Sequence, residues 1–418
     1  LISLWKNVLW VPDFCLRSEK AELFLHFRYS NACGDSRLLK IFTVILGVLL
    51  ILLVLWETFE TIVLPRRVTR QFRLTRYFYR ATWPLWVILA DLRGTKKKRD
   101  ILLSYYGPLS LLLLLALWAF GLLIGFGLLH YGLNDRLAGA LSASNFGNAL
   151  YLSGTTLFTL GMGDVVPASP VARFITVLEA GIGFGFLALV IGYLPVLYQA
   201  FSRREVTISL LDARAGSPPT AYEILRRQSG VQGMEALTEL LRDWERWSAD
   251  LMESHLSYPV LAYFRSQHDN QSWIASLTAI LDVCSLSMVG LEGMCQYQAR
   301  MTFAIARHAL VDLSQVFHAP PDKDAATNRL PAEALAELRK GLHTMGSALA
   351  DGAEAAEELR RLQSLYEPYA LSLCSFLRLD LPPWIKTATP AKDNWQTTAW
   401  QISQGQPHHG IATHDDHS

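Results

Sequence analysis

The sequence is short of charge. Only 18% of its 418 residues are Asp, Glu, Lys or Arg, and the formal net charge is +1. The basic residues gather beside apolar runs rather than on a face of their own, so no nucleic-acid partner is expected. Cysteine is scarce as well. Cys15, Cys33, Cys284, Cys295 and Cys374 have neither metal-ligand nor framework spacing, which leaves reduced structural thiols and no metal site. No nucleophile–base pair and no phosphate-cradling loop is visible, so nothing points to an enzyme or to a cofactor. No strand–glycine–helix fingerprint marks a nucleotide-binding unit. Methionine is missing until Met162. Residues 1–38 carry Trp5, Trp10, Phe14 and Phe24 without a clear period, and they lack the basic–apolar–small pattern of a secretory signal. They are expected to be a disordered leader, begun at a non-AUG codon or part of a translated fragment.

What the sequence does have is long apolar runs, and 51% of it is hydrophobic. That balance predicts a membrane protein with a soluble part. Residues 39–64 form the first span, since about 20 apolar residues suffice to cross a bilayer. Glu57 and Glu60 end it on one helical face; interfacial solvation is the favoured reading, and a turn towards the helix bundle the other.

Residues 65–100 are strongly basic and predict a cytoplasmic loop, with the N-terminus outside and the C-terminal part inside. Within the loop, Thr82 to Ala90 is too short to cross. It reads as an amphipathic segment on the inner leaflet, its tryptophans at headgroup depth. A sharper alternative exists. Arg67, Arg70, Arg73 and Arg76 recur every third residue, as in a voltage-sensor helix. Each arginine near the bilayer centre would cost about 2.5–3.5 kcal/mol, and no run of acidic partners is visible on other spans.

Residues 101–201 hold a second span (101–130), a short outer turret (131–142), a short helix (143–157), a glycine-containing extended segment (158–164) and a third span (171–201). The third span carries Gly181, Gly183, Gly185 and Pro195, which serve either close helix packing or a hinge. Glu179 lies inside this apolar span, where a carboxyl is costly. A partner on the back of the short helix, Ser153 or Thr156, is expected.

The string Thr155-Thr156-Leu157-Phe158-Thr159-Leu160-Gly161-Met162-Gly163-Asp164, followed by Val165-Val166-Pro167, resembles the selectivity filter of potassium channels with one pore loop per chain. Ala149 to Ser153 resembles the family's pore helix. The resemblance implies an all-α membrane protein: a potassium-channel pore module with an extra N-terminal span and a soluble helical C-terminal domain. It implies K⁺ as the permeant ion, bound by the carbonyls of Thr159, Leu160, Gly161 and Met162 and the Thr159 hydroxyl, with Gly163 closing the ion-binding stretch. It implies filter support from Asp164, Thr156 and Glu179, a gating bend at Gly181, Gly183, Gly185 and Pro195, and a homotetramer in the lipid of the cell membrane. Met162 stands where the family has a bracing tyrosine, and Phe158 where it has a threonine. A weakly selective cation channel is therefore an alternative reading, and a membrane-anchored sensor or scaffold with a vestigial pore another.

Residues 202–390 predict a cytoplasmic helical domain that folds alone. Leu237, Leu240, Leu241, Trp244, Trp247 and Leu251 share one helical face. Leu335, Leu338, Leu342, Met345 and Leu349 have heptad spacing, compatible with a coiled coil but expected to pack in a bundle. Residues 318–330 read as a linker. In the tail, 391–418, His408, His409, His414 and His417 beside Asp415 and Asp416 have metal-binding chemistry, though disorder is the expected state.

Overall fold

A backbone inside a bilayer must satisfy its own hydrogen bonds, so apolar runs of this length become helices. The computed structural model describes residues 19–64, 73–133, 137–139, 145–228, 231–267, 270–291, 296–321, 329–344 and 348–385. The histidine-rich tail, Arg66, Arg67 and Arg70 lie outside the described residues. Helix α1 runs Glu19–Thr58 and passes into a π-helical turn, Phe59–Val63. The expected disordered leader is thus corrected over residues 19–38, which continue the first span as helix.

The chain divides into two compact units, Leu1–Trp56 with Leu117–Ala188, and Glu57–Ala116 with Leu189–Ser418. The first unit holds the body of α1, the second half of α4 (Tyr106–Gly132), α5 (Phe146–Leu157) and the first part of α6 (Pro170–Ala215). A two-stranded antiparallel ribbon joins β1 (Leu137–Gly139) to β2 (Val165–Pro167), with Ala138 opposite Val166. Helices α1 and α4 approach closely, because a Cβ at Gly47 would stand 2.7 Å from the Gly125 carbonyl oxygen.

The second unit is a helical bundle. It contains α2 (Leu74–Asp91), α3 (Lys96–Ser104), α7 (Ala221–Arg227), α8 (Val231–Ser257), a 3₁₀ turn (Pro259–Tyr263), α9 (Trp273–Gly290), α10 (Gln296–Val316), α11 (Ala332–Thr344), α12 (Ala353–Ser364) and α13 (Glu367–Leu377). All six predicted apolar residues of α8 are buried. Among the described residues, four helices are long and apolar enough to cross a membrane, but α9 is 83% buried within the bundle against 17% for the span in α1. Helix α9 is therefore a core helix, and the remaining three make the chain a multi-pass membrane protein.

Several sequence expectations are corrected in this unit. Glu57 and Glu60 are buried rather than solvated. Glu57 Oε2 accepts from the Thr75 amide at 3.3 Å and its hydroxyl at 3.1 Å, and Arg73 stands 3.8 Å from Glu60. Arg73 is extended, φ −130° and ψ 125°, at the N-cap of α2, so no single sensor helix runs through Arg73 and Arg76. Trp83 is in the core, not at headgroup depth. Its indole donates to the Phe376 carbonyl at 3.0 Å, and its ring packs 4.8 Å from Tyr106 and 5.1 Å from Tyr263. The heptad run is broken, since α11 ends at Thr344 and Leu349 pairs with Leu291 in an isolated bridge. Residues 318–330 lie between α10 and α11 as predicted, and Arg329 among them turns its side chain inward to pair with Asp282 at 2.8 Å.

The boundary expected at 201/202 falls inside α6. Tyr193, Leu197, Ala200, Ile208 and Leu211 form one buried face across it. Arg204 on that face is buried too, and its five-donor fork explains why. It donates to the Leu261 carbonyl at 2.9 Å, the Phe264 carbonyl at 2.7 Å and Glu205 at 2.9 Å. Its fourth contact is His255 Nε2, at 3.3 Å. His255 Nδ1 faces the Leu251 carbonyl at 2.9 Å, which requires a proton there and leaves Nε2 to accept from the guanidinium. Burial first, and the arginine charge second, hold this imidazole well below its ordinary pKa, in the neutral form the bonding requires.

Candidate ion pathway

Helix α5 starts at Asn145, whose side chain accepts the Asn148 amide at 2.8 Å. It ends in a knot of amides folded back on its last turn. Phe158 N donates to the Gly154 carbonyl at 3.1 Å, and Thr159 N to the Thr156 carbonyl at 3.0 Å. Leu160 N and Gly161 N share the Thr155 carbonyl at 2.7 and 3.1 Å. In a trans peptide the C=O opposes the N–H of the next residue. Amides 159, 160 and 161 point back at α5, so the carbonyls of Phe158, Thr159 and Leu160 point away from it.

The backbone beyond repeats a two-residue alternation. Thr159, Gly161 and Gly163 have φ of 57°, 56° and 78°, and no positive φ occurs at Leu160 or Met162. In an ordinary strand, successive carbonyls point to opposite sides. Alternating handedness cancels that reversal and turns successive carbonyls to one side. A β-branched residue at positive φ is strained, by roughly 1–2 kcal/mol. The three back-folded amides around Thr159 hold it there. All residues from Phe158 to Asp164 are exposed in the single chain.

Behind this segment, α4, α5 and α6 meet at buried polar side chains. Glu179 bonds Ser153 through Oε1, and its Oε2 lies 3.1 Å from His130 Nε2. Ser153 also lies 3.0 Å from the Leu123 carbonyl. Glu179, His130 and Ser153 are each 1% exposed or less. Of the two partners expected for Glu179, the structure brings up Ser153. Thr156 accepts the Thr159 amide through its carbonyl instead. Sequence reading missed His130, although an ionisable residue late in an apolar run was the signal for it. It also missed Tyr151, whose hydroxyl donates to Asp164 Oδ2 at 2.9 Å and ties the residue after the glycines to α5.

Gly183 and its neighbours differ. A Cβ at Gly183 would lie 2.2 Å from the Leu157 carbonyl oxygen, so α6 passes the end of α5 only as glycine. Gly181 and Gly185 meet nothing within 4 Å. Helix α6 continues unbroken through Pro195.

Ser153→Ala should lower stability by about 1–3 kcal/mol, because it strips a fully buried carboxyl of one partner. Thermal unfolding of the full-length protein in detergent reads this. An unchanged transition would show that the Ser153 contact contributes nothing to holding α5 against α6.

The comparisons with known proteins agree with the geometry. Residues 112–199 match the family model described as an ion channel. A membrane protein of Bacillus subtilis strain 168, YdjJ, described as uncharacterized, is 24% identical over 253 residues, which cover 57% of this chain and 72% of that one. No solved structure matches. Residues 112–199 are thus similar to an ion channel, and they sit in a multi-pass, all-α membrane protein.

Proposed function

We propose that four copies of this chain surround one pore and conduct K⁺ passively, with the carbonyls of Thr159, Leu160, Gly161 and Met162 replacing the ion's water shell. The observation that carries the reading is the alternation of positive φ at Thr159, Gly161 and Gly163. A cation stripped of water needs oxygens from several sides, and one such strand supplies one side. Four strands about an axis complete the cage. In this reading the basic loop and the C-terminal bundle are cytoplasmic, Thr156, Asp164 and Glu179 hold the filter in place, and Gly181, Gly185 and Pro195 are where α6 bends.

The test is the reversal potential of proteoliposome currents in K⁺/Na⁺ gradients. Met162 is 67% exposed and lacks a hydroxyl, so it braces the filter less than the family's tyrosine. Preference for K⁺ is expected, weaker than a tyrosine-braced filter gives, and Met162→Tyr should move the reversal potential further towards that of K⁺. Reversal at the same voltage in K⁺/Na⁺ and symmetric K⁺ would replace this with a weakly selective cation pore. No flux at all would leave the pore vestigial.

A further inference from the structure

The face of α2 turned away from the bundle core carries apolar side chains with no protein over them. Leu85, Ile88, Leu89 and Leu92 follow one another at helical spacing and are 52–76% exposed. The opposite face, Trp83, Val87 and Ala90, is buried. A helix that is apolar on both faces is unfavourable in water, so the outer face has an occupant. Trp86, Leu89, Leu92, Arg93 and Leu102 line an open groove of about 470 Å³ between α2 and α3. Its walls are tied together, because the Trp86 indole donates to the Leu102 carbonyl at 2.9 Å.

Charge stands at one end of this surface only. Arg93, Lys96, Lys97 and Lys98 are exposed there. Lys96 reaches Asp380 at 2.5 Å, and Asp91 pairs with Arg378 at 3.3 Å. Arg93, Lys97 and Lys98 make no ion pair among the described residues. An apolar groove capped by uncompensated cations has the polarity of a phospholipid with an anionic headgroup. The sequence on either side argues for lipid over a protein partner. The span Leu38–Val63 precedes α2, and the span that begins at Lys96 follows it.

We propose that this groove binds an anionic phospholipid of the surrounding leaflet, its acyl chain along Leu85, Leu89 and Leu92 and its phosphate beside Arg93, Lys97 and Lys98. The proposal does not depend on the pore conducting. Native mass spectrometry of the full-length protein in detergent tests it, with phosphatidylglycerol and phosphatidylcholine of identical chains as probes. Phosphatidylglycerol should be retained in preference. Lys97→Gln and Lys98→Gln should each weaken its retention about fivefold and leave phosphatidylcholine unaffected. Leu89→Asp should weaken both lipids. These side chains are exposed, so unfolding temperatures should stay at the wild-type value and certify the fold. Equal retention of the two lipids by the wild type would overturn the proposal. So would a preference that survives the double glutamine variant, or displacement by free glycerol phosphate.

Discussion

Gly161→Ala is expected to abolish conduction while leaving the protein folded and assembled. Space is not the reason, since a Cβ at Gly161 meets nothing within 4 Å in the chain. The reason is the backbone. Gly161 sits at φ 56°, where an L-residue with a Cβ costs about 1–2 kcal/mol. If four chains line one pore, the cost recurs fourfold, about 4–8 kcal/mol for the assembled filter. Turning Gly161 to negative φ relieves it, but that breaks the alternation and swings a neighbouring carbonyl away from its fellows. Gly154→Ala is the control. It lies on α5, one turn before Phe158, and its Cβ would meet Leu123 Cδ1 at 3.5 Å, an ordinary contact. Potassium efflux from proteoliposomes should vanish for the first variant and persist for the second. Normal flux through Gly161→Ala would remove these residues from the ion pathway.

The ion-channel likeness over residues 112–199 was legible because its signal is local. Glycines at fixed offsets, a helix before them and apolar spans on either side are all adjacent in sequence. Polar side chains bridging distant segments were legible only in part. Glu179 declared itself by sitting in an apolar run, but His130, 49 residues away, became its partner only once α4 and α6 were packed together. Glu57 and Glu60 misled for the converse reason. At the end of a span, carboxylates are ordinarily solvated, and nothing in the string foretold that Thr75 and Arg73 would come back to meet them. Trp83 misled likewise, because a tryptophan between basic clusters suits an interface as well as a core. Its destination depends on Tyr263 and Phe376, 180 and 293 residues further on. Residues 318–330 do connect α10 to α11 as the prolines predict, but prolines say nothing about a carboxylate waiting on α9 for Arg329.

That arginine gives the largest expected effect on stability. Arg329→Met should destabilise the protein by about 3–5 kcal/mol, the cost of leaving a buried charge without its partner. Asp282 is fully buried on α9 and receives both ends of the guanidinium, at 2.8 and 3.2 Å. The same fork reaches Glu367 at 2.8 Å and the Pro382 carbonyl at 2.6 Å, while the Trp384 ring packs 5.7 Å from its centre. One side chain thus ties α9, α13 and the segment after α13. Removing the opposing carboxylate charge as well, in Arg329→Met with Asp282→Asn, should recover more than half of the loss, because the amide needs no cation. Glu367 supplies a second reading of the same cluster. Burial outweighs the attraction of Arg329 and lifts its carboxyl from 4.5 to about 7. A folded state that holds a proton the unfolded chain releases is favoured at low pH. Its contribution is complete below pH 4.5 and is lost as pH rises through about 7. Glu367→Gln should flatten that part of the stability profile. Chemical denaturation of the full-length protein in detergent across this range measures both effects. A double variant no more stable than Arg329→Met would show that the buried charge is not what the arginine serves.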